Sequence, residues 1–157
     1  MAASAQPRSD LGILVLLAYQ GFVRQLHEDM ARRGHDDLGR SDGVVFRILN
    51  GGPRTVSELA SLLEISKQGT AQIIEDMERR GYVVRTPDPA DARAKLVGLS
   101  ERGRAALTVA RDFHRQYERR LVREHGTEQV EAVRGLLAAM AAQAPDGLDR
   151  ELRGLYL

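Results

Sequence analysis

Hydrophobic positions come in blocks along this chain, and the spacing inside each block predicts its conformation. From Leu11 to about Arg33, the residues Val15, Ala18, Phe22, Leu26 and Met30 return every three or four positions, which lays one apolar stripe along a helix. Ser9 or Asp10 stands where that helix would be capped. Gly34 and the run GHDDLGR end it, while residues 1–10 (MAASAQPRSD) are small and polar and read as a loose arm. Ser41 heads a short helix carrying Val44, Val45, Phe46, Ile48 and Leu49, stopped by Gly51-Gly52-Pro53. Thr55-Val56-Ser57-Glu58 has the form of a capping box, in which hydroxyl and carboxylate satisfy each other's end amides. It opens a helix over Val56 to about Leu63. After the tight turn Leu63-Glu64-Ile65, Ser66 caps a second helix to about Arg80, and Gly81 supplies the left-handed stop.

The pattern then turns extended. Tyr82-Val83-Val84-Arg85 reads as a strand and Leu96 to Leu99 as its antiparallel return. Between them the stretch RTPDPADARAKLVGLS puts Arg93 and Lys95 at the tip of a turn. Ser100 caps a long helix to about His125, Gly126-Thr127 breaks it, and a last helix runs from about Glu128 to Gln143. The tail APDGLDRELRGLYL has room for one more helical turn. The fold class is therefore mainly α with a small two-stranded antiparallel wing.

Composition narrows the chemistry without naming it. The 157 residues suit one compact subunit, and 43% hydrophobic with 29% charged content is ordinary for a globular chain. Cysteine is absent, which excludes disulfides and thiolate metal sites and fits a reducing cytoplasm. The apolar run Leu11 to Ala18 falls far short of the ~20 residues that cross a bilayer, so no membrane role is expected. His27, His35, His114 and His125 show no metal-ligand spacing, and no nucleophile elbow, phosphate loop or paired-carboxylate site appears. An enzyme is not expected, nor is a cofactor or metal. A net charge of +1 leaves any nucleic-acid role to local charge placement.

Helix, three-residue turn, helix is the helix-turn-helix plan, whose second helix enters the DNA major groove through its N-terminal residues. On the helix that starts after Ser66, the residues Thr70, Ile73, Ile74 and Met77 form a core stripe. The opposite face shows Lys67, Gln68, Ala71, Gln72 and Glu75. Lys67 can reach phosphate or guanine, Gln68 and Gln72 can bond base edges, and Ala71 can meet a thymine methyl. Ser66 offers a hydroxyl and first-turn amides to a phosphate. The competing reading is an ordinary solvated face, which Glu75, Asp76 and Glu78 favour. The hairpin that follows decides between them, since a helix-turn-helix with such a wing can insert an arginine into the narrow minor groove. A turn arginine simply solvated, or paired with Asp88 or Asp91, is the alternative for Arg93.

The segments TVSELASLLEISKQGTAQIIEDMERRGYVVR and DPADARAKLVGLSERG resemble the MarR family of bacterial winged-helix regulators, with the likeness running from about Leu11 to Gln143. The wing signature is carried by Asp88, Pro89, Asp91, Arg93, Ala94, Val97, Leu99, Ser100 and Gly103. The resemblance implies a homodimer on a pseudo-palindromic operator in double-stranded DNA, read by the helix from Ser66. It implies minor-groove insertion of Arg93, oriented by Asp91, and release of the operator by small, often phenolic or otherwise toxic molecules. Two positions depart from the family pattern. Gly69 sits in the first turn of the recognition helix, where a side chain is more usual, and Lys95 stands where many members have a second arginine. The function expected is a cytoplasmic, DNA-binding transcriptional repressor; the alternative is a winged-helix protein-interaction module without DNA binding.

Three regions follow: the arm 1–10, a helical dimerisation region formed by 11–35 and 101–157, and a DNA-binding domain over 41–100. A single recognition helix reads too few bases, so pairing of two copies is expected on physical grounds as well. Leu136, Leu137 and Met140, with Leu148, Leu152, Leu155 and Tyr156 of the tail, are the candidate dimer contacts, unless they serve an intrachain core. Tyr19, Phe22, Phe46, Phe113 and Tyr117 lie on the elements that surround the family's effector cleft, with Arg47 or His114 as polar anchor. The alternative is that they are ordinary core aromatics.

Overall fold

The computed structural model describes residues 10–91 and 93–142, which form six helices and one three-stranded sheet. The chain divides into two compact units, Met1–Asp36 and Asp37–Leu157. Most of the arm 1–10 and all of the tail from Gln143, including Leu148, Leu152, Leu155 and Tyr156, lie outside the described residues.

Among its described residues the first unit holds one helix, α1 (Leu11–Arg32). Asp10 occupies its cap position but makes no side-chain cap bond. The helix ends at Gly34, whose φ of +88° is open only to a residue free of Cβ strain. Along the expected stripe Met30 is buried, Val15, Phe22 and Leu26 are half-buried and Ala18 is exposed. The first two turns carry Leu11, Ile13, Leu14, Leu16 and Leu17 on their surface, each at least 40% exposed.

The second unit begins with α2 (Asp42–Leu49), followed by β1 (Arg54–Thr55) and α3 (Val56–Leu63). Then come α4 (Lys67–Arg79), β2 (Val83–Pro87), β3 (Lys95–Leu99), α5 (Glu101–His125) and α6 (Thr127–Ala141). The capping box at α3 is formed as expected: the Glu58 amide donates to Thr55 Oγ1 at 3.2 Å, and the Thr55 amide donates to Glu58 Oε2 at 2.7 Å. The two-stranded hairpin is also present. Its register runs from Val83 opposite Leu99 to Pro87 opposite Lys95. Proline is tolerated at Pro87 because β2 is an edge strand with no ladder to donate to on its outer side.

A third strand was not legible. β1 pairs along the free side of β3, Arg54 opposite Val97 and Thr55 opposite Leu96, so β3 is central. Two residues carry no alternating pattern, and only the pairing partner defines them. Ser41 was expected to cap α2; it stands at the cap position but makes no side-chain cap bond. Asp42 takes over the local work, accepting the Gly39 amide at 2.8 Å.

The core of this unit comes from every element around the sheet. Val45, Phe46 and Leu49 of α2, Leu59 and Leu63 of α3, Ile74 and Met77 of α4, and Val83 and Val97 of the strands are all at most 4% exposed. Each such side chain contributes roughly 1.5–3 kcal/mol by leaving water. α5 packs its start on β3. α6 packs on α5, tied by an Arg134–Glu118 ion pair, yet none of its described residues is buried.

Candidate nucleic-acid interface

The turn between α3 and α4 spends three residues. Glu64 adopts φ 51°, ψ 34°, a left-handed conformation uncommon for a residue with a Cβ, and the Ile65 amide closes back on Ala60 at 3.2 Å. Ser66 then caps α4 by accepting the Gly69 amide on its Oγ at 3.0 Å, while its carbonyl accepts the Thr70 amide at 2.9 Å and the Thr70 hydroxyl at 3.0 Å. The Ser66 oxygen is therefore already engaged, and what it can still offer an anion is its proton. The amides of Lys67 and Gln68 have no intrahelical acceptor, as at any helix start. At Gly69 a Cβ would stand 3.1 Å from Ser66 Oγ, so the glycine leaves room for the cap.

α4 is two-faced. Thr70, Ile74 and Met77 are 0% exposed, whereas Lys67, Gln68 and Gln72 are exposed; Ala71 is half-buried between the faces, as is Ile73. The acidic residues that favour an ordinary solvated face are largely drawn off to the sides. Asp76 is held below the usual carboxylate range by hydrogen bonds from Arg79 and Arg80, and Glu78 lies 3.6 Å from Arg85 Nε. Glu75 is exposed.

The hairpin tip is shaped by its aspartates. Asp88 accepts the Ala90 amide at 2.8 Å, and Asp91 Oδ1 accepts the Arg93 amide at 2.9 Å. Backbone bonds from Ala94 to Asp91 and from Asp88 to Ala94 close the loop. Asp91 thus orients Arg93 through its backbone rather than by holding its guanidinium. Arg93 and Lys95 are exposed, and among the described residues the Arg93 guanidinium makes no ion pair with either Asp88 or Asp91.

Behind this surface is a polar hub that sequence reasoning missed. Arg80 grips both oxygens of Asp42 at 2.5 and 3.1 Å, the Asp37 carbonyl at 2.7 Å, and Asp76 at 2.8 Å. Tyr82 donates its hydroxyl to Asp37 at 2.5 Å, and Arg102 donates to the same carboxylate oxygen at 2.9 Å while its guanidinium lies 4.5 Å from the Tyr82 ring centre. Burial alone would raise the Asp37 carboxyl, but the Tyr82 hydroxyl and the Arg102 charge outweigh it and hold it low. Burial and the bond to Asp37 push the Tyr82 phenol up to about 12. Apart from Asp76, four positions before Arg80, these partners are 20 to 65 residues apart in the chain, so no local spacing marks them.

The aromatic candidates divide. Phe46 is 4% exposed and meets the Tyr82 ring edge-on at 5.5 Å, so it is a core residue of the winged unit; Arg47 beside it is exposed. Phe113, His114 and Tyr117 group on α5, with Phe113 5.7 Å from Tyr117 and Arg120 4.8 Å from the Tyr117 ring. Partial desolvation lowers the His114 pKa although the residue keeps an exposed edge. Tyr19 and Phe22 sit half-buried on α1, in the other unit.

A helix-turn-helix with a wing folded directly after it agrees with what sequence comparison finds: a model of the MarR family matches residues 37–94, from the start of the winged unit to the hairpin tip. Over this segment, a little over a third of the chain, the protein is similar to the MarR family. The HTH-type transcriptional regulator YdcH of Bacillus subtilis is 24% identical over 106 residues, 66% of this chain and 72% of its own length. Among solved structures, RV1404 of Mycobacterium tuberculosis superposes with a TM-score of 0.77 at 20% identity, covering 93% of this chain and all of that one. The MepR–DNA complex of S. aureus gives 0.67 at 19% identity over 84% of this chain and 96% of MepR. At these identities the structural likeness speaks for the MarR-type fold. The family match stops at residue 94, so the rest of the wing and α5 and α6 stand on the structure itself.

Proposed function

We propose that this protein is a sequence-specific DNA-binding transcriptional repressor that acts as a homodimer on a pseudo-palindromic operator. The observation that carries the reading is the division of α4. One face is locked into the core by Thr70, Ile74 and Met77, and the other presents Lys67, Gln68 and Gln72 at the end where a helix enters a major groove. Arg93, exposed at the tip of the hairpin and without an ion pair among the described residues, supplies the second contact, with the narrow minor groove as its partner. Lys95 adds a phosphate contact beside it. A structural neighbour, MepR, was crystallised with DNA, which agrees with this reading.

Dimerisation follows from what α6 leaves uncovered. Val133, Leu136, Leu137 and Met140 are 39–55% exposed along one helix, a run of apolar surface that a second copy would remove from water. The group Phe113, His114 and Tyr117 on α5 is the candidate contact set for a small aromatic effector within the second unit, and Tyr19 and Phe22 are the corresponding candidates on α1; Arg47 is an exposed candidate anchor and Phe46 a core residue.

The test is selection of bound sequences from a random duplex pool, followed by titration of the winner against salt. The expected winner is an inverted repeat with half-site centres about one helical turn, ~10 bp, apart. Gln68→Ala and Gln72→Ala should each relax one base pair, at ~1–3 kcal/mol. No enrichment from the pool, or binding insensitive to salt, would refute DNA recognition.

A further inference from the structure

We propose that Arg80 is the positioning residue of the recognition helix: its bidentate grip on Asp42 sets the rotation and tilt of α4, and through them the aim of Gln68 and Gln72 at base edges. The inference rests on the DNA-binding reading above and deepens it.

Arg80 follows the last residue of α4, thirteen positions beyond Lys67. At ~1.5 Å per residue this is roughly 20 Å along the axis, too far for a groove contact shared with the helix start. Its side chain is 16% exposed and that of Asp42 3%, so the pair is shielded from solvent. The two parallel bonds from the guanidinium fork to Asp42 define a direction as well as a distance, which a single point charge cannot do. Asp76, one helical turn back on α4, holds the Arg80 Nε at 2.8 Å, so the fork is braced against its own helix. Asp42 is in turn the first residue of α2 and accepts the Gly39 amide, so the partner is anchored in a different element.

The other supports of α4 constrain this freedom less sharply. Ser66 acts only on the first turn, and Thr70, Ile74 and Met77 press an apolar face into the core by forces without direction. At the far end Arg102 donates to the Arg80 carbonyl by one bond, and the Arg80 fork on Asp42 is the tie that fixes a direction through two parallel bonds. A helix released there pivots about its buried stripe, and amide–base bonds at the opposite end weaken steeply with misalignment.

Two variants of the full chain test this. Arg80→Lys keeps a cation but loses the fork. Asp76→Asn takes the charge from the brace at a half-exposed position, weakening it, and leaves the buried Arg80–Asp42 pair in place. For each, affinity is measured on the selected operator and on a scrambled duplex, with the salt slope and the circular dichroism spectrum. Arg80→Lys is expected to lower the ratio of operator to scrambled affinity about tenfold, the scale of one lost base contact. Its scrambled affinity and salt slope should stay at the wild-type values, because no phosphate contact is removed. Asp76→Asn should lower the ratio in the same direction by about twofold to threefold. A folded Arg80→Lys chain with wild-type discrimination overturns the proposal, as does an equal loss on both duplexes. If Arg80→Lys does not fold, wild-type discrimination in Asp76→Asn overturns it. A wild-type chain that shows no discrimination refutes the DNA reading itself, before either variant is compared.

Discussion

Gly103 lies in the first turn of α5, and a methyl group there has nowhere to go. A Cβ at this position would fall 2.1 Å from the Tyr82 carbonyl oxygen, more than 1 Å short of the 3.4 Å at which ordinary contact begins, and 3.3 Å from Leu99 Cδ2. Backing α5 away is not free. The same Tyr82 carbonyl accepts the Ser100 amide at 3.0 Å, Ser100 Oγ donates to the Gly81 carbonyl, and Arg102 donates to the Arg80 carbonyl at 2.7 Å. Gly103→Ala should therefore cost ~1–3 kcal/mol for overpacking and ~1 kcal/mol for a stretched hydrogen bond. Alanine's better helix propensity offsets ~1 kcal/mol. The net expectation is a destabilisation of ~1–3 kcal/mol, which lowers Tm by roughly 2–12 °C for a chain of this size. Gly135→Ala in α6 is the control: Gly135 is exposed and has nothing within 4 Å of its Cβ position, so it should gain ~0.5–1 kcal/mol. Urea denaturation of the three proteins at one concentration reads both signs. If Gly103→Ala were as stable as the wild type, the close approach of α5 to the Tyr82 backbone would be wrong.

Arg93→Ala should weaken operator binding and flatten the salt slope by about one unit, more on A·T-rich flanks than on G·C-rich ones, with stability changed by less than ~0.5 kcal/mol; a fluorescence anisotropy salt series checks this. The Tyr82 phenol, raised to about 12, stays protonated in the folded state while the unfolded chain ionises from ~10 upward. The unfolded state then binds fewer protons, so stability falls as pH rises from ~10 to ~12, by up to ~2–3 kcal/mol. Tyr82→Phe should remove that portion of the slope, and parallel wild-type and variant curves in denaturation across this range would contradict it. Leu136→Glu with Leu137→Glu places two charges on the exposed α6 face, and sedimentation at micromolar concentration should show a dimer converted to monomer; an unchanged dimer would move the interface elsewhere.

Local chemistry made much of this protein legible. The capping residues Thr55, Ser66 and Ser100, the stops Gly34, Gly81 and Gly126, and the stripe Thr70–Ile74–Met77 each act within a turn or two, so spacing alone locates them. The same holds for the wing, because its turn is built from aspartates bonding amides two residues away. Phe46 shows the limit: its apolar character was plain, but that it packs against Tyr82 and not toward an open pocket depends on a partner 36 positions along the chain. β1, the Arg80–Asp42 grip, the Tyr82–Asp37–Arg102 hub and the need for glycine at 103 depend on such partners too. Periodicity reports which face of an element leaves water. It carries no information about which distant carboxylate or carbonyl that face will meet, because hydrophobic burial is non-directional and the partner is chosen only when the elements pack.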